Sequence, residues 1–178
     1  MNSITLHDKI FQQYISKDEI SNIVSEIANK INASNTEKPL FIAVMNGAFL
    51  FAADIMREIT LQDAEISFIK LASYEGTEST GDVKELIGLS DNISGKNIII
   101  LEDIIDTGNT LEKIISMLED KNIQSLKIAT LLFKPKAYKK EIHIDYIGKA
   151  IPNDFVVGYG LDYDEIGRNL PHIYKLKE

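Results

Sequence analysis

Apolar residues in this chain come in two rhythms. Residues 40–45, 98–101 and 123–133 are runs with few polar interruptions, and each leads into turn chemistry: Asn46-Gly47, Asp106-Thr107-Gly108 and Lys134-Pro135. Unbroken runs of this kind suit strands buried on both faces, as in a parallel sheet. Elsewhere the period is that of a helix. Phe49, Leu50, Ala53, Ile55, Met56 and Ile59 interleave with Asp54, Arg57 and Glu58, and Leu111, Ile114, Ile115 and Leu118 recur at helical spacing. Ser16 with Glu19 three residues on is a capping box, opening a helix whose Ile20, Ile23, Val24, Ile27 and Ile31 share a face. Residues 64–71 alternate as a strand does, 84–89 read as its return, and 146–151 and 155–158 as two more short strands. Residues 1–14 show no strong periodicity. Residues 32–38 and 120–122 read as polar connections, and the basic 137–140 as exposed.

Strand-helix alternation from residue 40 to 133 predicts an α/β fold: a twisted, mainly parallel sheet flanked by helices, with right-handed crossovers. In open sheets of this type, ligands lie beyond the carboxyl ends of the strands. Those ends carry Asn46-Gly47, Glu102-Asp103 and Lys134, so one crevice is expected to gather a glycine turn, two carboxylates and a lysine.

The middle run carries the most chemistry. Ile98-Ile99-Ile100-Leu101 is followed by Glu102 and Asp103, two isoleucines, and then Asp106, Thr107, Gly108, Asn109 and Thr110 at a helix start. Successive amide N–H groups, a glycine, two hydroxyls and the helix's positive end make a cup for a phosphate. The carboxylate pair is expected at its lip, placed for sugar hydroxyls or a hydrated metal. Residues 73–82 hold one aromatic and two glycines, too little apolar surface to order by burial, and read either as a surface loop or as a lid.

Composition narrows the picture. With 178 residues, 44% hydrophobic and 26% charged, the chain suits one domain with a real core. A net charge of -8 argues against nucleic acid as a partner. The absence of cysteine excludes disulfides, thiolate nucleophiles and Cys-ligated metals. His7, His143 and His172 are scattered without ligand spacing and read as ordinary. No apolar run approaches the ~18 residues of a membrane span, and the N-terminus lacks a signal-peptide pattern. A cytoplasmic protein with no membrane partner is therefore expected.

Residues 97–110 resemble the phosphoribosyl-pyrophosphate (PRPP) binding signature of the type I phosphoribosyltransferases. There a hydrophobic run precedes two acids, two apolar residues, Asp, a hydroxyl or small residue, Gly, any residue and Thr. Every position matches. From about residue 40 onward the chain is also similar to the hypoxanthine (hypoxanthine-guanine) phosphoribosyltransferase branch of that family. The resemblance implies a single domain over 1–178, with a core of about 37–135, a small hood from 1–15 and 136–178, and a mobile lid over about 73–83. It implies Mg²⁺-dependent transfer of 5-phosphoribosyl from PRPP to hypoxanthine or guanine in purine salvage, giving IMP or GMP and diphosphate.

Residue roles carry over with the motifs. Met45, Asn46 and Gly47 match the loop whose amides hold the diphosphate, where the peptide is often cis; Asn46 stands where lysine is common, so a side-chain charge is lost while backbone contacts remain. Ser73 and Tyr74 match the start of the mobile loop and Arg168 an arginine, all on the diphosphate. Glu102 and Asp103 match the ribose-holding pair that also helps place the metal, and Asp162 an acid at a magnesium site beside the purine. Thr107, Gly108, Asn109 and Thr110, with Asp106, match the 5-phosphate loop, and Asp106 also implies proton exchange with the purine's imidazole ring. Lys134 matches the lysine that meets the purine's exocyclic oxygen, and Phe155 with Val156 the segment that stacks on the base and reads its edge. A homodimer or homotetramer is implied as well. Transferases for adenine, xanthine or pyrimidines share the central signature, but Lys134 and Phe155-Val156 favour a 6-oxopurine. An RNA-binding regulator of this fold would want a basic surface. A PRPP sensor without catalysis should have lost Asp106 or the carboxylate pair.

Overall fold

In the computed structural model, which describes residues 3–71, 85–87 and 93–177, the three apolar runs become adjacent strands of one sheet. In chain order the elements are β1 (Ser3–Leu6), β2 (Lys9–Ile15), α1 (Lys17–Ala33), β3 (Pro39–Val44), α2 (Phe49–Glu58), β4 (Glu65–Leu71), β5 (Glu85–Ile87), β6 (Asn97–Ile105), α3 (Asn109–Leu118), β7 (Ser125–Phe133), β8 (Tyr146–Ala150), β9 (Val156–Val157) and β10 (Ile173–Leu176). The main sheet has the order β5-β4-β3-β6-β7-β8. Its five strands from β4 to β8 in that order are parallel, and β5 adds to the β4 edge antiparallel.

Burial on both faces explains the unbroken runs. Phe41, Ala43, Ile99, Leu101, Ala129 and Leu131 pack with α1 and α2, through Ile20, Val24, Ile27, Phe51 and Ile55. Their alternating neighbours Leu40, Ile42, Ile98, Ile100 and Ile128 pack with α3, through Leu111, Ile114 and Leu118. Each large aliphatic side chain so buried contributes about 1.5–3 kcal/mol, and these two layers hold the sheet rigid beneath its carboxyl edge. Among the described residues no helix is long and apolar enough to cross a membrane.

The three helices begin differently. At α1 the Glu19 N–H donates to Ser16 Oγ at 3.1 Å, as the capping box predicts. The first residues before α2 and α3, Ala48 and Gly108, supply no side-chain cap. Both of these helices start at the carboxyl edge of the sheet, where the first N–H groups make only long local bonds, Phe49 to the Asn46 carbonyl and Asn109 to Thr107 Oγ1, each at 3.4 Å, and the helix starts suit an anionic ligand.

Two expectations change. Glu102 and Asp103 lie inside β6 rather than beyond it, because β6 stays paired with β7 as far as Ile105 and Phe133. On the β3 side the ladder stops at Ala43 and Leu101, so the last residues of β6 have an open edge there. The hood also divides differently. Within 136–178, β8 joins the main sheet, while β9 and β10 form a second, antiparallel sheet with β1 and β2 in the order β1-β2-β10-β9. Residues 1–14, which lack an evident period, thus supply two of its four strands. The basic stretch 137–140 is only partly exposed: the Tyr138 ring stands edge-on to Phe133, with centroids 5.3 Å apart.

Candidate active site

The β6–α3 junction forms the expected cup. Residues 106–108 turn the chain from strand to helix, with Gly108 at φ +84°. Glycine is required twice over at this position, since the left-handed backbone disfavours a side chain and a Cβ would lie 2.6 Å from the Tyr138 ring. Glu102 and residues 104–111 line a cavity of about 90 Å³. Against the ~30 Å³ share of one liquid water, that is the scale of a phosphoryl group rather than a nucleotide. Thr107, Asn109 and Thr110 are exposed at its mouth.

The acid pair behind the cup is out of its usual range. Glu102 is 5% exposed, and burial followed by the Asp103 charge pushes its pKa well up. Burial raises the Asp103 carboxyl to about 6, against the N–H groups of Ile104 and Asp103 and the Arg168 charge, which pull it down. Two adjacent carboxyls short of water favour a ligand that brings hydroxyl donors or positive charge.

Asp103 is one end of a chain of close approaches. A Cβ on Gly47 would run into the Asp103 carboxylate, and one on Gly160 would run into the Gly47 carbonyl. Gly47 follows a cis peptide between Met45 and Asn46, as the loop's resemblance implies. Arg168 donates to the Gly160 carbonyl at 2.9 Å and pairs with Asp162 at 2.8 Å. The hood segment around residues 160–168 therefore closes over the diphosphate-loop candidates. Gly160 was not singled out from the sequence; a Gly-Tyr-Gly triplet marks a turn, but nothing in it names Gly47 as the partner.

On the other side of the cup, Lys134 is 8% exposed and its ammonium donates to Asp106 Oδ2 at 3.0 Å. The Lys134 N–H donates to the Ile105 carbonyl at 2.9 Å, extending the β6–β7 ladder by one step. Lys134 is a buried lysine aimed at the signature loop, not a surface charge.

The remaining candidates are less converged. Val156 is a core residue, so only its backbone is available to a ligand. Phe155 is 44% exposed and lies in the hood beside Phe11 and Tyr163, and it is not among the residues lining the cup. Ser73 and Tyr74, with the proposed lid over 73–83, lie outside the described residues. Among the described residues no three acids or histidines gather into a ready metal cage, so Glu102, Asp103 and Asp162 do not by themselves enclose an ion. Their chemistry suits Mg²⁺ nonetheless: it takes hard oxygen ligands, usually one or two carboxylates completed by water and substrate phosphates.

A family model described as the phosphoribosyl transferase domain matches residues 13–164. The chain belongs to that family. A hypoxanthine-guanine phosphoribosyltransferase of Staphylococcus epidermidis is 41% identical over 174 residues, covering 97% of each chain. One of Staphylococcus aureus is 39% identical over the same span. Among solved structures, a hypoxanthine-guanine phosphoribosyltransferase from Bacillus anthracis superposes with a TM-score of 0.86 at 41% identity, covering 93% of this chain and 98% of that one. A hypoxanthine phosphoribosyltransferase from Trypanosoma cruzi, with its substrates in a ternary complex, gives 0.84 at 32% identity, covering 93% and 95%. The resemblance first carried by residues 97–110 thus holds over nearly the whole phosphoribosyltransferase chain, as does the predicted α/β fold.

Proposed function

We propose that this phosphoribosyltransferase transfers the 5-phosphoribosyl group of PRPP to N9 of hypoxanthine or guanine, releasing diphosphate and returning free purines to the nucleotide pool. The observation that carries the reading is the complete signature at residues 97–110, folded as a helix start without a side-chain cap from Gly108, with the buried Glu102 and half-buried Asp103 beside it and Lys134 seated on Asp106.

Each step is assigned to groups of matching chemistry. The cup of Thr107, Gly108, Asn109 and Thr110 holds the 5-phosphate, whose binding energy positions the anomeric carbon. Glu102 and Asp103 accept hydrogen bonds from the ribose hydroxyls, which relieves the burial of both carboxyls. As the C–O bond to diphosphate breaks, the sugar gains positive charge and the leaving group negative charge. Amides of the loop at Met45, Asn46 and Gly47 and the Arg168 guanidinium answer the negative charge. Glu102, Asp103 and Asp162 are the acids that would hold Mg²⁺, which when bound would supply further positive charge for the leaving group.

Base recognition and proton handling meet at Lys134. An ammonium has three donors and no acceptor, so one N–H holds Asp106 while another meets an exocyclic carbonyl. Adenine presents an amino group there and leaves the lysine unanswered, which selects 6-oxopurines. Asp106 keeps a second carboxylate oxygen for the purine's imidazole ring and exchanges its proton as general acid or base. Phe155 stacks on the base and the Val156 backbone reads its edge. The protein acts in the cytoplasm as a homodimer or homotetramer, with main sheet and hood as one unit.

Incubation with PRPP, Mg²⁺ and each purine in turn tests this. IMP and GMP should form with stoichiometric diphosphate, and adenine should react at least 100-fold more slowly, within the ~10⁴–10⁵ that an unpaired buried donor allows. Comparable turnover with adenine contradicts the reading.

A further inference from the structure

Phe155 poses a problem for the base site. A ring that is 44% exposed is not fixed by the core, yet a stacking platform must hold one orientation before the base arrives. Its backbone is pinned, since the Leu176 N–H donates to the Phe155 carbonyl at 3.0 Å. Its ring is set by two others. Tyr163 and Phe155 form a T-shaped pair, with centroids 5.8 Å apart and planes at 85°, and Phe11 lies at 6.1 Å, tilted by 44°.

Tyr163 is itself held on three sides by the turn between β1 and β2. Asp8 Oδ1 accepts from the Tyr163 hydroxyl at 2.8 Å. The Lys9 ammonium sits over the Tyr163 ring at 4.4 Å from its centroid, and 5.9 Å from that of Phe155. The His7 ring stands edge-on to Tyr163 at 5.4 Å. Paired N–H donation between Tyr163 and Ile166, at 3.0 and 3.2 Å, fixes the backbone beneath. Such a set of contacts on one half-buried tyrosine exceeds what filling the hood's small core requires.

We propose that Tyr163 is a positioning residue for purine recognition, clamped by the Asp8–Lys9 turn and acting through the Phe155 ring. The inference rests on the stacking role of Phe155 proposed above. It assigns the N-terminal hairpin, more than 150 positions away in sequence, a part in base affinity that the signature residues do not share. An edge-to-face pair fixes the angle between two rings, and with 44% of Phe155 still exposed Tyr163 can steer it while leaving surface open to the base. Asp162, one residue earlier, pairs instead with Arg168, so the two neighbouring side chains take different partners.

Steady-state kinetics on Tyr163→Leu, Phe155→Leu and the double variant test this. Tyr163→Leu should raise KM for hypoxanthine about 3- to 10-fold, the span expected for loss of an edge-to-face ring pair, with KM for PRPP and kcat within about twofold. In the Phe155→Leu background the same change should do nothing further, because the two act as one unit. Lys9→Met should move KM for hypoxanthine the same way, by about twofold, as expected for a lost cation–ring contact, and carries the test if Tyr163→Leu does not fold. An equal rise in KM for PRPP, or an undiminished effect without Phe155, overturns the inference. If Phe155→Leu leaves KM for hypoxanthine unchanged, the stacking reading fails and the inference with it. If Phe155→Leu raises it and neither Tyr163→Leu nor Lys9→Met does, the inference alone fails.

Discussion

The two sheets of this molecule solve different problems with different geometry. In the main sheet all strands but β5 run one way, so their carboxyl ends share an edge. A single unbroken segment, residues 97–110, brings both acids and the phosphate cup to that edge. The hood is antiparallel and assembled from the two ends of the chain, with β1 and β2 beside β9 and β10. Its contacts span the sequence, as in the bond from Tyr163 to Asp8, 155 positions away. Sugar-phosphate handling, as proposed, is therefore encoded locally, on strands buried on both faces. The base site as proposed draws its hood side from long-range pairs such as this one, while Lys134 comes to it from the main sheet.

That contrast ranks the consequences of substitution. Asp106→Asn keeps the shape of the junction and removes the proton carrier, so kcat should fall on the order of 10²–10⁴-fold while nucleotide binding persists. Single-turnover assays with separate binding isotherms would show it, and near-full turnover would break the assignment. Lys134→Met removes one charged donor between the regions. It should cost about 10- to 100-fold in kcat/KM for hypoxanthine, the range for hydrogen bonds to charged groups, with KM for PRPP little changed.

Asp103→Asn should separate stability from activity. The folded carboxyl titrates at about 6 against an ordinary 3.8, because it is buried. Between those values the folded chain holds a proton that the unfolded chain has released, so ligand-free stability falls as pH rises from about 4 to about 6. Above that window the loss is complete. The variant should remove the Asp103 share of that fall, leaving the part due to the buried Glu102, and gain on the order of 1–3 kcal/mol at pH 7.5, discounted for partial solvent screening, while losing turnover. Denaturant titrations at pH 4.5 and 7.5 measure it; an unchanged pH profile contradicts the burial argument. Smallest is Ser16→Ala, which removes the cap on α1 and none of the proposed site residues, and should cost about 1 kcal/mol with activity intact.

The same contrast decides what the sequence discloses. β3, β6 and β7, the α1 cap and the cup are legible because each is a local pattern: a run, a box, a turn at a helix start. Glu102 and Asp103 interrupt the apolar run, so the strand reads as ending at Leu101; only the pairing with β7 shows that it continues to Ile105. Lys134 looks like a surface residue until β6 and Asp106 cover it. β1 is too short and too exposed to carry a period, whereas the buried β9 falls within the strand read at 155–158, and the approach of Gly160 to Gly47 leaves no mark in either segment. Long-range packing, not local preference, sets all of these.

The most direct measurement is a crystal structure of the protein with IMP. The 5-phosphate should lie against the amides of Thr107, Gly108, Asn109 and Thr110, the ribose hydroxyls on Glu102 and Asp103, and the purine oxygen on Lys134. A phosphate bound elsewhere, with that junction filled only by water, would contradict the account.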